Sequence, residues 1–369
     1  MSTLVAPSAP TTPAIPAAFD SSAAEAFAQR VAGLLDAGSA SVMMALGHRL
    51  HLFDTLAAMA PATSAELASA AGLAERYVRE WLAAMTTAGI VRHDPAARSY
   101  GLPPEHAACL TRDAALGNLA LYGQHVAMMG HMLDRIVQCF RDGGGTRYDE
   151  YPRFHEIMAE DSAQTVVAAL FDHLLPLVPG IVERLERGVD VLDAGCGRGA
   201  ALRALAARFP ASRFVGYDLC ADAVAFARDT SVAAGLSNLR YEVRDLTGYD
   251  ERAAFDLVLS FDAVHDQKDP QGLLDGLHGA LREQGVYLMQ DIGGSATLAD
   301  NLDFPLATLL YGISCVHCTP ISLGQGGAGL GTMWGWQTAE RMLRQAGFAR
   351  IDRHVLPHDP MNVWFVARV

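Results

Sequence analysis

The segment VLDAGCGRG (191–199) constrains this chain more than any other. A short apolar run ends in the carboxylate Asp193, and the glycines behind it let the backbone turn tightly and approach a ligand closely. An amphipathic stretch over about 200–209 follows, so the unpaired amides of a helix start face the same spot. The spacing falls short of a full dinucleotide fingerprint: counted from Gly195 the third position is Gly197, but the sixth is Ala200, a tolerated variant. Spacing alone therefore leaves a nicotinamide dinucleotide open, and context has to decide.

That context is a long alternation of short apolar runs and helical patterns. SRFVGYDL (212–219) reads as a second strand, ADAVAFARDTSVAAG (221–235) as a helix, LRYEVRD (239–245) as a third strand and FDLVLSFDAVHD (255–266) as a fourth. GLLDGLHGALREQ (272–284) reads as a helix, GVYLMQDI (285–292) as a strand, TAERMLRQAG (338–347) as a helix, and two terminal strands close the series. Such alternation specifies an α/β fold with a parallel sheet covered on both faces, whose ligands bind outside the carboxyl ends of the strands. The informative residues fall there. Asp218 stands 25 residues after Asp193, where a carboxylate accepts both hydroxyls of a ribose, and Asp245 stands where a short side chain accepts from an adenine amino group. Three strand-end carboxylates repel a pyrophosphate and suit a cationic adenosine ligand without phosphate.

The remainder of the chain is too long for one core. At 369 residues, 51% hydrophobic and 19% charged, it accommodates two globular domains and connecting helices. A formal charge of −13 argues against nucleic acid as the main partner. Six scattered cysteines lack the density of a disulfide scaffold, which fits a reducing cytoplasm. Residues 1–23 read as a disordered leader without the basic start of a signal peptide, and no uncharged apolar run reaches the roughly 18 residues of a membrane helix.

Residues 24–112 read as a winged helix. Thr63 and Glu66 form a capping box before a short helix ending at Gly72, a second helix runs from about 74 to 88, and two short strands flank a turn at 95–98. The second helix admits a DNA-binding role through Arg76 and Arg79, or a role in dimerisation and in closing the active site. Between 24 and 113 there are seven Arg, no Lys and nine acidic residues, a balance that favours dimerisation. Residues 113–188 read as a helical linker and lid, interrupted by RDGGGTRYDEYP (141–152). Tyr148, Tyr151, Phe154 and His155 follow this glycine hinge, placed either to close over a ligand or simply to pack the linker. Met128, Met129 and Met132 read as core.

VLDAGCGRG, GYDL, the acidic end of RYEVRD and FDLVLSFDAVHD resemble, in order and separation, the successive motifs of class I S-adenosylmethionine-dependent methyltransferases. The winged-helix start, with FDAVHDQ, SCVHC and GGAGLGTMWGW, resembles a bacterial subgroup of these enzymes. The first resemblance implies a Rossmann-like sheet over 189–369 that binds S-adenosyl-L-methionine. By the same resemblance Gly195 and Gly197 make room for the methionyl part, Asp193 approaches its ammonium, Asp218 holds the ribose, Leu219 packs on the adenine, Asp245 and Leu246 bracket the adenine edge, and Phe261 lies beside the cofactor.

Methyl transfer is a displacement that needs aligned atoms and a water-free site, with a base where the acceptor holds its proton tightly. His265 with Asp266, just after the fourth strand, is the candidate base, and Asp291 at the end of the fifth is a second acceptor-side candidate or a loop anchor. The segment 293–335 reads as a long loop forming a pocket wall, with Tyr311, His317 and Trp334 as candidate substrate contacts beside Tyr148, Tyr151 and His155. Cys315 and Cys318 lack the second ligand pair of a zinc site and read as a buried reduced pair, so no metal is expected. His358 and Asn362 near the last strands are fainter candidates. The expected activity is methylation of O, S or N on a small molecule by a homodimer. The competing readings are a winged-helix regulator with a ligand-sensing domain, and a lyase or cyclase that consumes S-adenosylmethionine without methylating anything.

Overall fold

The computed structural model describes residues 19–114 and 117–369. Most of the expected leader lies outside the described residues, and its last three belong to helix α1 (Ser21–Arg49), which the Asp20 side chain caps through the Ala23 amide at 3.0 Å. Helix α2 (Ser64–Ala71) carries the reciprocal Thr63/Glu66 cap and ends on Gly72 at φ +66°, a left-handed turn that glycine adopts without strain. Helix α3 (Glu75–Thr87) buries Val78, Trp81, Leu82 and Met85, one stripe at helical spacing. The wing follows as β1 (Arg92–Asp94) paired antiparallel with β2 (Ser99–Gly101). The two α3 arginines singled out as potential phosphate contacts are occupied on the helix surface, Arg76 by Glu80 and Arg79 by Glu75.

Helix α4 (Gly123–Asp142) crosses α1 at Gly123, where a Cβ would lie 2.4 Å from the Ser41 carbonyl, so only glycine permits this approach. Met128 and Met132 are core. Helix α5 (Phe154–Ser162) runs on into two π-helical turns, Ala163–Val167 and Leu170–Leu174, before the sheet begins.

The sheet is built from β3 (Asp190–Ala194), α6 (Ala200–Arg208), β4 (Arg213–Asp218), α7 (Ala221–Ala233), β5 (Leu239–Val243), β6 (Phe255–Phe261), α8 (Pro270–Ala280) and β7 (Leu281–Ile292). Helices α9 (Ala307–Ile313), α10 (Thr319–Gly324) and α11 (Trp336–Gln345) precede β8 (Arg350–Leu356) and β9 (Asp359–Arg368). Strand order is β5-β4-β3-β6-β7-β9-β8, and β9 alone runs antiparallel to its neighbours, so the sheet is mostly rather than wholly parallel. The order reverses between β3 and β6, which opens a crevice at their carboxyl ends. Period-two alternation sends Val191, Leu257, Leu288 and Trp364 into one core layer, and Leu192, Val258, Tyr287 and Phe365 into the other.

Two expectations are corrected. Leu281-Arg-Glu-Gln284 belongs to β7, not to the preceding helix: α8 stops at Ala280, and Leu281 pairs with Phe255 of β6. The segment 293–335 is not a loop. It holds α9, a π-helical turn over Ser314–Cys318 and α10, because Leu310 and Ile321 find apolar partners only in the folded chain.

Trp364, fully buried, fills the layer between the sheet and the linker helices. Trp364→Ala should therefore cost about 3–5 kcal/mol, read as a lowered denaturation midpoint in urea.

Candidate active site

Two cavities meet above the sheet crevice. The first is lined by Asp193, Gly195, Gly197, Asp218, Leu219, Asp245, Leu246 and Phe261, with Tyr148, Phe154, His155 and Met158 across from them. The turn after β3 has Gly195 at φ +84°, and a Cβ there would lie 2.5 Å from that of Ala263, so the loop closes only with glycine at this place. Asp218 organises it: one carboxylate oxygen accepts from the Gly197 amide at 2.8 Å and the other from Cys220 at 2.9 Å. Asp193 is 2% exposed, and its Oδ1 has no partner. Burial, with Asp218 adding to it, pushes its carboxyl up to about 8. Asp245 is exposed, and its Oδ1 accepts from the Thr247 amide at 2.8 Å, making an Asx turn on the cavity rim.

The second cavity shares Phe154, Met158, Ser162, Asp262 and Asp266 with the first. Its lining combines the polar Asp161, His125, His265, His317 and Gln290 with the apolar Leu306, Leu309, Leu310, Ile313 and Ile292. His265 is 1% exposed and its Nδ1 is 2.8 Å from Asp291 Oδ1. Asp291 is itself held by Trp334 Nε1 at 2.9 Å and the Ile292 amide at 2.8 Å, so it receives Nδ1–H, while His265 Nε2 lies 3.4 Å from Asp266 Oδ1. Burial opposes charge on His265, yet Asp291 and Asp266 outweigh it and hold the imidazole well above the usual histidine range. His317 goes the other way, down to about 4 through burial, and stacks on Phe154 with ring centres 4.0 Å apart. Tyr148 reaches across from the linker to donate to Asp266 Oδ2 at 3.3 Å.

Residues 38–112 match the family described as Rv2258c-like winged HTH domain, and residues 185–347 match the family described as Methyltransferase domain. The chain thus carries a stretch matching a methyltransferase domain behind a stretch matching a winged helix-turn-helix domain. A malonyl-[acyl-carrier protein] O-methyltransferase of Ilyobacter polytropus is 24% identical over 41% of this chain and 51% of its own length. The chain spans about half or less of the length of the curated relatives it matches. Two solved structures share the fold: an O-methyltransferase family protein from Burkholderia thailandensis (TM-score 0.65, 17% identity, 92% of this chain and 97% of that one), and human N-acetylserotonin methyltransferase in complex with S-adenosylmethionine (TM-score 0.65, 15% identity, 96% and 99%).

Within the methyltransferase domain, all eight residues singled out for the cofactor line the first cavity, and that cavity fits the group. An unpartnered carboxylate at Asp193 that burial drives toward neutrality regains its charge beside a cation, and the ammonium of S-adenosylmethionine is one. Of the acceptor-side candidates, Tyr148 and His155 line the first cavity and His265, Asp266 and His317 the second. Asp291, Tyr151, Tyr311 and Trp334 line neither among the described cavities. Asp291 and Trp334 stand behind His265, Tyr151 hydrogen-bonds the Val316 carbonyl at 2.6 Å, and Tyr311 receives Asn301 Nδ2 at 2.9 Å. The expected cysteine pair is corrected as well: Cys318 is buried in the site, whereas Cys315 is exposed, because the π-helical turn points them apart. His358 stacks on His173 away from both cavities.

Sequence reasoning missed His125, Asp161 and Asp262. The first two sit in a helical linker with no local motif. Asp262 lies within FDAVHD, but its sign is structural: φ +53°, a strained value for a residue with a Cβ, directly at the end of β6.

Proposed function

We propose that this protein transfers a methyl group from S-adenosylmethionine to a hydroxyl oxygen of a small molecule. The observation that carries the reading is the junction of the two cavities at Asp262 and Asp266, which sets the crevice proposed for the nucleoside against a second chamber lined by His265. When bound, S-adenosylmethionine supplies an electrophilic methyl on a positively charged sulfur. Asp193, Asp218, Leu219, Asp245, Leu246 and Phe261 hold it; Tyr148, His155, Phe154 and Met158 close the other side and exclude water. His265 Nε2 receives the acceptor's proton, and Asp291 fixes the ring and balances the resulting imidazolium. The named O-methyltransferase relatives and fold neighbours support oxygen as the acceptor atom. Calorimetry with S-adenosylhomocysteine tests the first chamber, and product analysis after turnover with a phenol panel tests the second. Methylthioadenosine in place of S-adenosylhomocysteine would point to the lyase reading. A DNA-binding regulator is not favoured, since the α3 arginines already serve Glu75 and Glu80.

The protein acts as a homodimer in this reading. On α1, Phe27, Val31, Leu34 and Leu35 lie at positions one and two turns apart, and Phe27, Leu34 and Leu35 are 66%, 62% and 70% exposed. Leu133 and Phe140 of the packed helix α4 are exposed as well. A Phe27→Glu, Leu34→Glu double variant should sediment as a monomer where the parent sediments as a dimer.

A further inference from the structure

The second chamber is unusual in its charge inventory. Asp161, Asp262 and Asp266 line it, and no Arg or Lys does. Its three imidazoles are not free cations waiting for an anion: His265 is committed to Asp291, and His125 and His317 are buried, with His317 stacked on Phe154. Buried polar atoms without a hydrogen-bond partner also lie on residues that line it, namely Asp262 Oδ1, Asp266 Oδ1, His317 Nε2, His125 Nδ1 and Asn362 Oδ1, with Asp266 Oδ1 3.4 Å and Asp262 Oδ1 3.9 Å from the ring nitrogens of His265. Of their residues, Asp266, His317, His125 and Asn362 are each more than nine-tenths buried. Buried polar groups are normally satisfied, so a set of this size on the residues lining one cavity marks a place where a ligand can supply missing partners. Most of these atoms accept hydrogen bonds, and the carboxylates do nothing else when ionised.

We propose that the acceptor is an apolar molecule carrying a protonated amine as well as its reactive hydroxyl, the amine being held by Asp161 and Asp262. This rests on the methyltransferase reading and narrows it to one substrate class. The hydroxyl lies against His265, the ammonium donates to the two carboxylates, and the hydrocarbon body rests on Leu306, Leu309, Leu310 and Ile313. Asp161 accepts from Tyr122 Oη at 3.2 Å, and Asp262 Oδ1, 3.9 Å from His265 Nδ1, has no hydrogen-bond partner among the described residues, so both have capacity left for an ammonium. A carboxylic acid acceptor has the opposite prospects: it would sit among three carboxylates with no arginine to receive it, and such like-charge juxtaposition is strongly unfavourable in a desolvated chamber.

Three probes that share a phenol and differ only in the group at the far end test this: tyramine, 4-ethylphenol and 4-hydroxyphenylacetate. Each is titrated calorimetrically into protein saturated with S-adenosylhomocysteine. Tyramine should bind about tenfold more tightly than 4-ethylphenol, and 4-hydroxyphenylacetate most weakly. Asp161→Asn, a residue outside the nucleoside chamber, should bring tyramine and 4-ethylphenol to within about twofold of each other, with S-adenosylhomocysteine affinity as the measure that the variant is folded. Equal or tighter binding of the carboxylate overturns the proposal. So does binding of none of the three at millimolar concentration by protein that still binds S-adenosylhomocysteine, and so does an unchanged tyramine preference in the variant or in Asp262→Asn. Loss of S-adenosylhomocysteine binding by the parent protein is a separate result, and it removes the methyltransferase reading itself.

Discussion

His265→Ala should lower kcat by about a thousandfold, within the usual range for a general base, with S-adenosylhomocysteine affinity changed little, because the ring lines the second chamber and not the first. The pH profile carries the sharper information. Asp291 and Asp266 hold the His265 pKa well above the ordinary histidine value against the opposing effect of burial, so the proton-accepting form grows only as pH rises into the alkaline range. The rate should climb through that range, and Asp291→Asn should move the rise to lower pH while reducing the maximum. Stability runs the other way. A group whose folded pKa is raised contributes fully below its unfolded pKa of about 6.5 and loses that contribution as pH passes through the folded value. Activity and stability should therefore diverge in alkali, which paired rate and thermal-melting series would check. A flat rate profile in the parent would remove His265 from the proton path.

Asp218→Ala should weaken S-adenosylhomocysteine binding by about a hundredfold, the worth of two hydrogen bonds to a charged group. Two losses combine. A ribose would lose its carboxylate acceptor, and the glycine turn would lose the bonds from Gly197 and Cys220 that fix its shape. Asp218→Asn keeps an acceptor oxygen and should retain part of the affinity. An unaltered dissociation constant in the alanine variant would show that nothing ribose-like sits there.

The cavity proposed for the nucleoside was legible because its lining is local. Asp193, Gly195 and Gly197 belong to one strand-to-helix turn, Asp218 and Leu219 to the next, and each is placed by the register of its own strand. A carboxylate at a strand end faces the crevice wherever the sheet reverses order, so position along the chain translates directly into position in space. The same holds for the winged helix, whose caps, glycine stop and hairpin are short-range features.

The acceptor half was only partly legible. Tyr148 and His155 were recognisable as aromatic groups behind a glycine hinge, but whether they faced a ligand or the linker core depended on how α5 settles over the crevice. Tyr151 and Trp334 have the same composition and an opposite fate: one is turned inward to the Val316 carbonyl and the other to Asp291. Segment 293–335 misled because its glycines read as loop, while its helices depend on contacts such as Leu310 with Ile292 and Met333.

By itself the sequence determined the alternation of strands and helices and the carboxylates standing at strand ends, since these follow from strand-length periodicity and from what must stand at a strand's end. Only the tertiary structure decided which distant groups share the second chamber. His125 comes from α4, Asp161 from α5, His317 from a π-helical turn and Asn362 from β9, and they meet because packing of apolar faces brings these elements together. Burial then biases the charge of His125, Asp161 and His317, and burial is a property of the neighbours in space, which no residue's place in the chain encodes.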